Sequence, residues 1–176
     1  MKKKSIVLTK DKIVSILAIA IAILNFAALA FALVDAEQKF ISYTDSFFAN
    51  GFTLIFGECP IVIESYGTLL SFYSVCHFIA AVVIVALLSV RLAVTKRLNF
   101  GKMGMVSVII SAIFTTLYFV MGCIAFSEAT AYGGIGYGYD ANTFAFIPFV
   151  FMLILVASFI LVKVKLPKNY KLEMKK

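Results

Sequence analysis

Four stretches of this chain, 13–34, 68–94, 105–126 and 142–162, are each long and apolar enough to cross a lipid bilayer. A hydrocarbon core about 30 Å thick takes about 20 residues of helix. With no water inside it, each stretch must satisfy its own backbone N–H and C=O groups, and the helix does so. Pro148 falls about two turns into the fourth stretch, where a kink is tolerated. Composition agrees: 62% of residues are hydrophobic and 14% charged, against about 45–50% and about 25% in soluble domains. Mean hydropathy is +1.03. These values argue against a water-soluble fold, a disordered chain and a nucleic-acid-binding domain. The 176 residues are read as one integral membrane domain, 1–176, with outer loops at 35–67 and 127–141.

Charge placement orients the helices. Of the 16 Lys and Arg residues, all but Lys39 precede the first stretch, follow the fourth, or lie between the second and third, counting Arg91 in the last turn of the second, which emerges into water. Seven of the 9 acidic residues share the other side with Lys39, leaving Asp11 and Glu173 among the lysines. The positive-inside rule then places both termini in the cytoplasm. The net charge of +7 is explained by this orientation. A second use is open to the lysines after the fourth stretch. Lys163, Lys165, Lys168 and Lys171 could hold anionic lipid headgroups, at about 1 kcal/mol each near the surface.

The first stretch has a rival reading. Basic residues, an apolar run and Ala-x-Ala triplets at Ala28–Ala30 and Ala30–Ala32 resemble a secretory signal. Its apolar run is about 20 residues against the usual 7–15 or so, which favours a retained helix. Cleavage would leave three spans in the same orientation.

Between the first two stretches, residues 40–49 and 52–57 are rich in aromatic and β-branched side chains and flank Asn50-Gly51. That dipeptide suits a two-residue type I′ turn, in which both central residues need positive φ. Pairing across it sets Ala49 opposite Phe52, Phe47 opposite Leu54 and Asp45 opposite Phe56. The expectation is an extracellular β-hairpin presenting Phe47, Asn50, Gly51, Phe52, Leu54 and Phe56 to a partner. A competing reading lays residues 47–63 into the membrane interface. Exposed apolar patches often mark interaction sites, and packing of this loop on the protein's own bundle is an equal alternative. In the second outer loop, Tyr132–Asp140 carries four glycines, and its tyrosines suit the headgroup zone. Its Gly-x-Gly spacing lacks the strand-to-helix setting of a nucleotide fingerprint.

Polar residues inside the spans are where function is expected. At about 1.5 Å per residue, Asn25 lies about 14 Å from the outer end of the first span, His77 about 14 Å into the second, and Thr115 about 16 Å from the outer end of the third. The fourth offers Phe151 at that depth. Ala18, Ala22, Asn25 and Ala32 make one small-residue stripe, and Gly104, Ser107, Ser111, Thr115, Tyr118 and Gly122 another. Such stripes let membrane helices approach closely. The first and third spans should therefore pack together with His77 at their seam, and the Phe-rich fourth should face lipid. Asn25, His77 and Thr115 are either a path for a proton, ion or solute or a hydrogen-bonded layer fixing helix register. No carboxylate lies within the spans, which favours the second.

Three cysteines show no metal or redox spacing. Cys59 and Cys123 are a candidate disulfide, with Cys76 deeper; free, buried thiols are the alternative. Four spans with outer loops resemble the quinone-linked thiol oxidases, whose Cys-x-x-Cys pair this chain lacks. A lone His cannot make a zinc site of three or four ligands. The sequence thus implies no enzyme, no metal and no cofactor.

The layout of four helices, inside termini and a β-prone first outer loop resembles the tetraspan architecture of claudin-like proteins, without their signature Trp and paired Cys in that loop. The run Gly51-Phe52-Thr53-Leu54-Ile55-Phe56-Gly57 after the first helix is similar to one in small four-helix proteins of low-GC Gram-positive bacteria. The strong excess of Lys over Arg suits such a source. That resemblance covers residues 1–94 and implies no activity. The expectation is an all-α membrane protein, a four-transmembrane-helix bundle with N-in/C-in topology in the cytoplasmic membrane. Its expected role is structural or interactional, as an accessory subunit or scaffold with a membrane-protein partner or further copies of itself. A small transporter or channel component is the alternative.

Overall fold

A computed structural model describes residues 6–39, 44–57, 64–131, 137–139, 143–168 and 170–174. Four helices are long and apolar enough to cross a membrane: α1 (Lys10–Ala28), α3 (Glu64–Thr95), α4 (Gly101–Ala131) and α5 (Thr143–Lys165). A short helix, α2 (Gly51–Phe56), precedes α3. Five strands complete the structure: β1 (Ile6–Thr9), β2 (Ala32–Lys39), β3 (Thr44–Asn50), β4 (Tyr137–Tyr139) and β5 (Lys171–Met174).

α1 and α4 each pack against the other three long helices, so they form the centre of the bundle with α3 and α5 on its flanks. Small side chains explain the close approach. At Gly104, an added Cβ would lie 3.7 Å from Ala18 Cβ and 2.9 Å from Phe100 Cβ. α3 is the most exposed long helix: 17% of its apolar window is buried, against 22% for α5 and 33% for α1 and α4. The fourth span, α5, is less buried than the first and third, as expected, and α3 is less buried still. Phenylalanine content does not set exposure; α5 turns Ala145, Pro148, Met152 and Phe159 inward and leaves Phe146 and Phe151 outside.

The first helix ends at Ala28, not at residue 34. The apolar run continues, but hydrophobicity alone does not separate helix from strand. Tertiary bonds decide: Tyr118 Oη donates to the Phe31 carbonyl at 2.6 Å, and Asn50 Nδ2 to the Ala30 carbonyl at 3.3 Å. The chain then enters β2, which pairs antiparallel with both β3 and β4 in the order β3-β2-β4. The glycine-rich second loop thereby supplies a strand. β2 also packs on α4 and α5, so this sheet caps one end of the bundle. At the opposite, lysine-rich end, β1 pairs antiparallel with β5 and joins the N- and C-terminal segments, with Thr9 opposite Lys171.

The expected turn at Asn50-Gly51 is not formed. Asn50 has φ −127° and ψ 177°, an extended conformation incompatible with a type I′ turn. Its side chain instead caps α2, accepting from Thr53 N at 2.9 Å, while Asn50 N donates to Thr53 Oγ1 at 2.8 Å. This reciprocal pair is a capping box with Thr in place of the usual Glu. Pairing of 45–49 across 52–56 is therefore replaced by pairing with β2, for example Ala36 with Phe47 and Val34 with Ala49.

Candidate functional site

The buried interior divides along the bundle axis. One apolar cluster, including Ala28, Leu33, Leu54, Leu70 and Ala145, lies toward the three-stranded sheet. A second, including Ala18, Ile21, Ile84, Leu88 and Phe159, lies toward the lysine-rich end. Between them, α1 contributes Asn25, α3 contributes His77 and α4 contributes Thr115, each at most 1% exposed.

These three side chains meet. His77 Nε2 lies 2.9 Å from Asn25 Oδ1 and 3.0 Å from the Asn25 carbonyl oxygen. Both neighbours are acceptors, so this nitrogen carries the imidazole proton and donates. Thr115 Oγ1 donates to the same Asn25 Oδ1 at 3.1 Å. The other ring nitrogen, Nδ1, lies 3.3 Å from the Tyr73 hydroxyl. Tyr73 also donates to the Phe114 carbonyl, so its single proton faces two acceptors and ties α3 to α4. The imidazole packs among Tyr73, Phe114 and Tyr118, with ring centroids 5.8, 5.4 and 5.6 Å away.

Next to this layer, Tyr118 Oη accepts from Gly51 N at 2.9 Å and donates to the Phe31 carbonyl. It thereby fastens the start of α2 and the exit of α1 to α4. Gly51 is required at this contact, since an added Cβ would stand 2.5 Å from Leu29 Cδ2 and 3.1 Å from the Leu29 carbonyl oxygen. Tyr73 is the member that the sequence reading missed. Its signal was present, because Tyr73 and His77 are four residues apart and share a helix face. Phe151 does not belong to the layer and is 54% exposed.

Among the described residues, Asn25 Nδ2, Ser74 Oγ and Ser111 Oγ are buried without a hydrogen-bond partner. No three His, Cys, Asp or Glu side chains among the described residues gather where they could hold a metal ion. Cys59, and with it the candidate pair with Cys123, lies outside the described residues. Cys76 is half-buried and Cys123 exposed.

The residues assigned to a partner-facing hairpin have other placements. Gly51 and Leu54 are buried, Phe52 is half-buried, and Asn50 is occupied as the α2 cap. Phe52 packs on Phe26 of α1 and Phe78 of α3, at 5.8 and 6.3 Å. Phe56 also touches Phe78 at 5.9 Å, yet it is 74% exposed. The Phe47 side chain lies outside the described residues. At the other end of the bundle, Lys163, Lys165, Lys168 and Lys171 are all exposed.

The arrangement is thus a helical bundle with four helices of membrane length, three of them joined between two apolar clusters by a buried polar layer. No protein family, curated protein or solved structure matches the chain.

Proposed function

We propose that this chain is an integral protein of the cytoplasmic membrane with both termini inside, acting as an accessory subunit or scaffold. One observation carries the reading: Asn25 Oδ1 joins His77 and Thr115, tying α1, α3 and α4 together between two apolar clusters. Such a layer fixes the register of α1, α3 and α4 and leaves the outer helix faces to meet neighbours. Phe56, exposed at the end of α2, extends that contact surface onto the outer side. The basic end faces the cytoplasm in this reading, because Lys and Arg are retained there during insertion.

A second reading, a small transporter or channel component, is favoured by Asn25 Nδ2, Ser74 Oγ and Ser111 Oγ, buried polar atoms without partners among the described residues. Flux into liposomes carrying the full chain separates the two. The scaffold reading predicts proton, sodium and potassium fluxes equal to those of protein-free liposomes. Flux above that level, lost in a folded His77→Leu variant, would replace it with the transporter reading.

A further inference from the structure

At the lysine-rich end, the first turns of α1 and α4 and the last turn of α5 enclose a cavity of about 800 Å³. Lys10, Lys102, Lys163 and Lys168 line it, with Asp11 the one carboxylate among its lining residues. Asp11 Oδ2 accepts from Asn99 Nδ2 at 3.2 Å. Two N-terminal helix ends, those of α1 and α4, border the same space and add to its positive field. Lys10 is held in place by donating to the Leu166 carbonyl at 2.6 Å.

A second cavity, of about 670 Å³, runs between α4 and α5 and is lined by Ile109, Ala112, Val156 and Phe159. Met105 and Lys163 border both cavities, so the two lie side by side with these side chains between them. Lys163 stands at their junction. Its ammonium donates to Met105 Sδ at 2.8 Å and lies 5.7 Å over the Phe159 ring. Neither partner is an anion, so the charge of Lys163 is not met by an opposite charge in these contacts.

A cationic chamber beside an apolar slot, at one end of a membrane-length bundle, suits a ligand with an anionic head and an apolar chain. We propose that this end of the protein binds a single anionic glycerophospholipid. Its phosphate sits among Lys10, Lys102, Lys163 and Lys168, and an acyl chain lies along α4 and α5. The proposal rests on the membrane-spanning reading but not on the scaffold role. It also revises the candidate lipid lysines, because Lys165 and Lys171 line neither cavity.

The test is native mass spectrometry of the full chain extracted from vesicles of equal phosphatidylglycerol and phosphatidylcholine. One phosphatidylglycerol should be retained about tenfold over phosphatidylcholine. The double variant Lys102→Gln/Lys168→Gln should lower that preference about tenfold. Lys96→Gln/Lys165→Gln, with the same charge change outside both cavities, should leave it within about twofold. Ile109→Trp fills the slot from an exposed position and should also lower retention. Equal retention of the two lipids would overturn the proposal, as would equal losses in the two double variants. Displacement of the lipid by inorganic phosphate, with Ile109→Trp unaffected, would overturn it in favour of a free-anion site.

Discussion

His77 on α3 and Asn25 on α1 are joined twice at one nitrogen, with Nε2 2.9 Å from Asn25 Oδ1 and 3.0 Å from the Asn25 carbonyl oxygen. Because Thr115 of α4 donates to the same Oδ1 at 3.1 Å, Asn25 is the hub through which three helices are registered. Asn25 lies in the last turn of α1, and the amide four residues on, Leu29 N, donates to the Phe26 carbonyl instead. The bond from His77 therefore serves a carbonyl at the helix end, where intrahelical partners run out, and fixes the rotation of α1 about its axis.

Removing the donor should therefore cost more than an average contact between membrane helices, about 0.6 kcal/mol. His77→Leu leaves two buried acceptors short of a partner, and a loss of about 1–3 kcal/mol is expected. Thr115→Val alone should cost about 0.6 kcal/mol. Because both donors serve one oxygen, the double variant should depart from additivity by about 0.5 kcal/mol or more. Unfolding equilibria in bicelles for the four members of the cycle check this; strict additivity would dissolve the hub.

Two hydroxyls on α4 should respond in opposite ways. Tyr118→Phe keeps the ring but strips the acceptor from Gly51 N and the donor from the Phe31 carbonyl. A cost of about 1–3 kcal/mol follows, with faster amide exchange at the start of α2. Ser111 Oγ is buried with no partner among the described residues. Ser111→Ala should be neutral or stabilising in the same unfolding assay.

The role of Asn50 can be separated from that of a hairpin turn by its substitution pattern. Thr is a good N-cap but a poor occupant of a positive-φ turn position. Asn50→Thr should retain amide protection over residues 51–56, whereas Asn50→Ala should lose about 1 kcal/mol of local stability. Hydrogen exchange distinguishes them, and loss of protection in both variants would favour the turn.

At Gly51 the constraint is space. A Cβ there would meet Leu29 Cδ2 at 2.5 Å and Leu29 Cβ at 3.1 Å. Gly51→Ala should destabilise by about 1–3 kcal/mol, as overpacking does. In a Leu29→Ala background the same change should cost less, because the closest atom is gone. Thermal denaturation of the four proteins in one detergent measures the difference.

The long helices, and Asn25, His77 and Thr115 as the polar residues that face one another, were legible because hydrophobic length and helical rise are local properties; the reckoned depth of Asn25 was not, because α1 ends at Ala28, one turn beyond it. Ala32–Val34 misled for a physical reason: an apolar run gives the same signal in a helix and in a buried strand, and the bond from Tyr118 to Phe31 lies 87 positions away in sequence. Asn50-Gly51 misled because Asn serves both turns and caps, and the deciding partner, Thr53, was read as a strand residue. The cavity holding Lys10, Lys102, Lys163 and Lys168 was beyond reach, since it needs the ends of three helices placed side by side.

The scaffold role is tested most directly by mild crosslinking in the native membrane, followed by mass spectrometry of everything that travels with the tagged full chain. The account predicts a membrane-protein partner at fixed stoichiometry, with its yield reduced by Phe56→Ser while His77-dependent stability is unchanged. Recovery of only self-crosslinked chain and lipid would contradict it and direct attention to a homo-oligomeric transporter or channel.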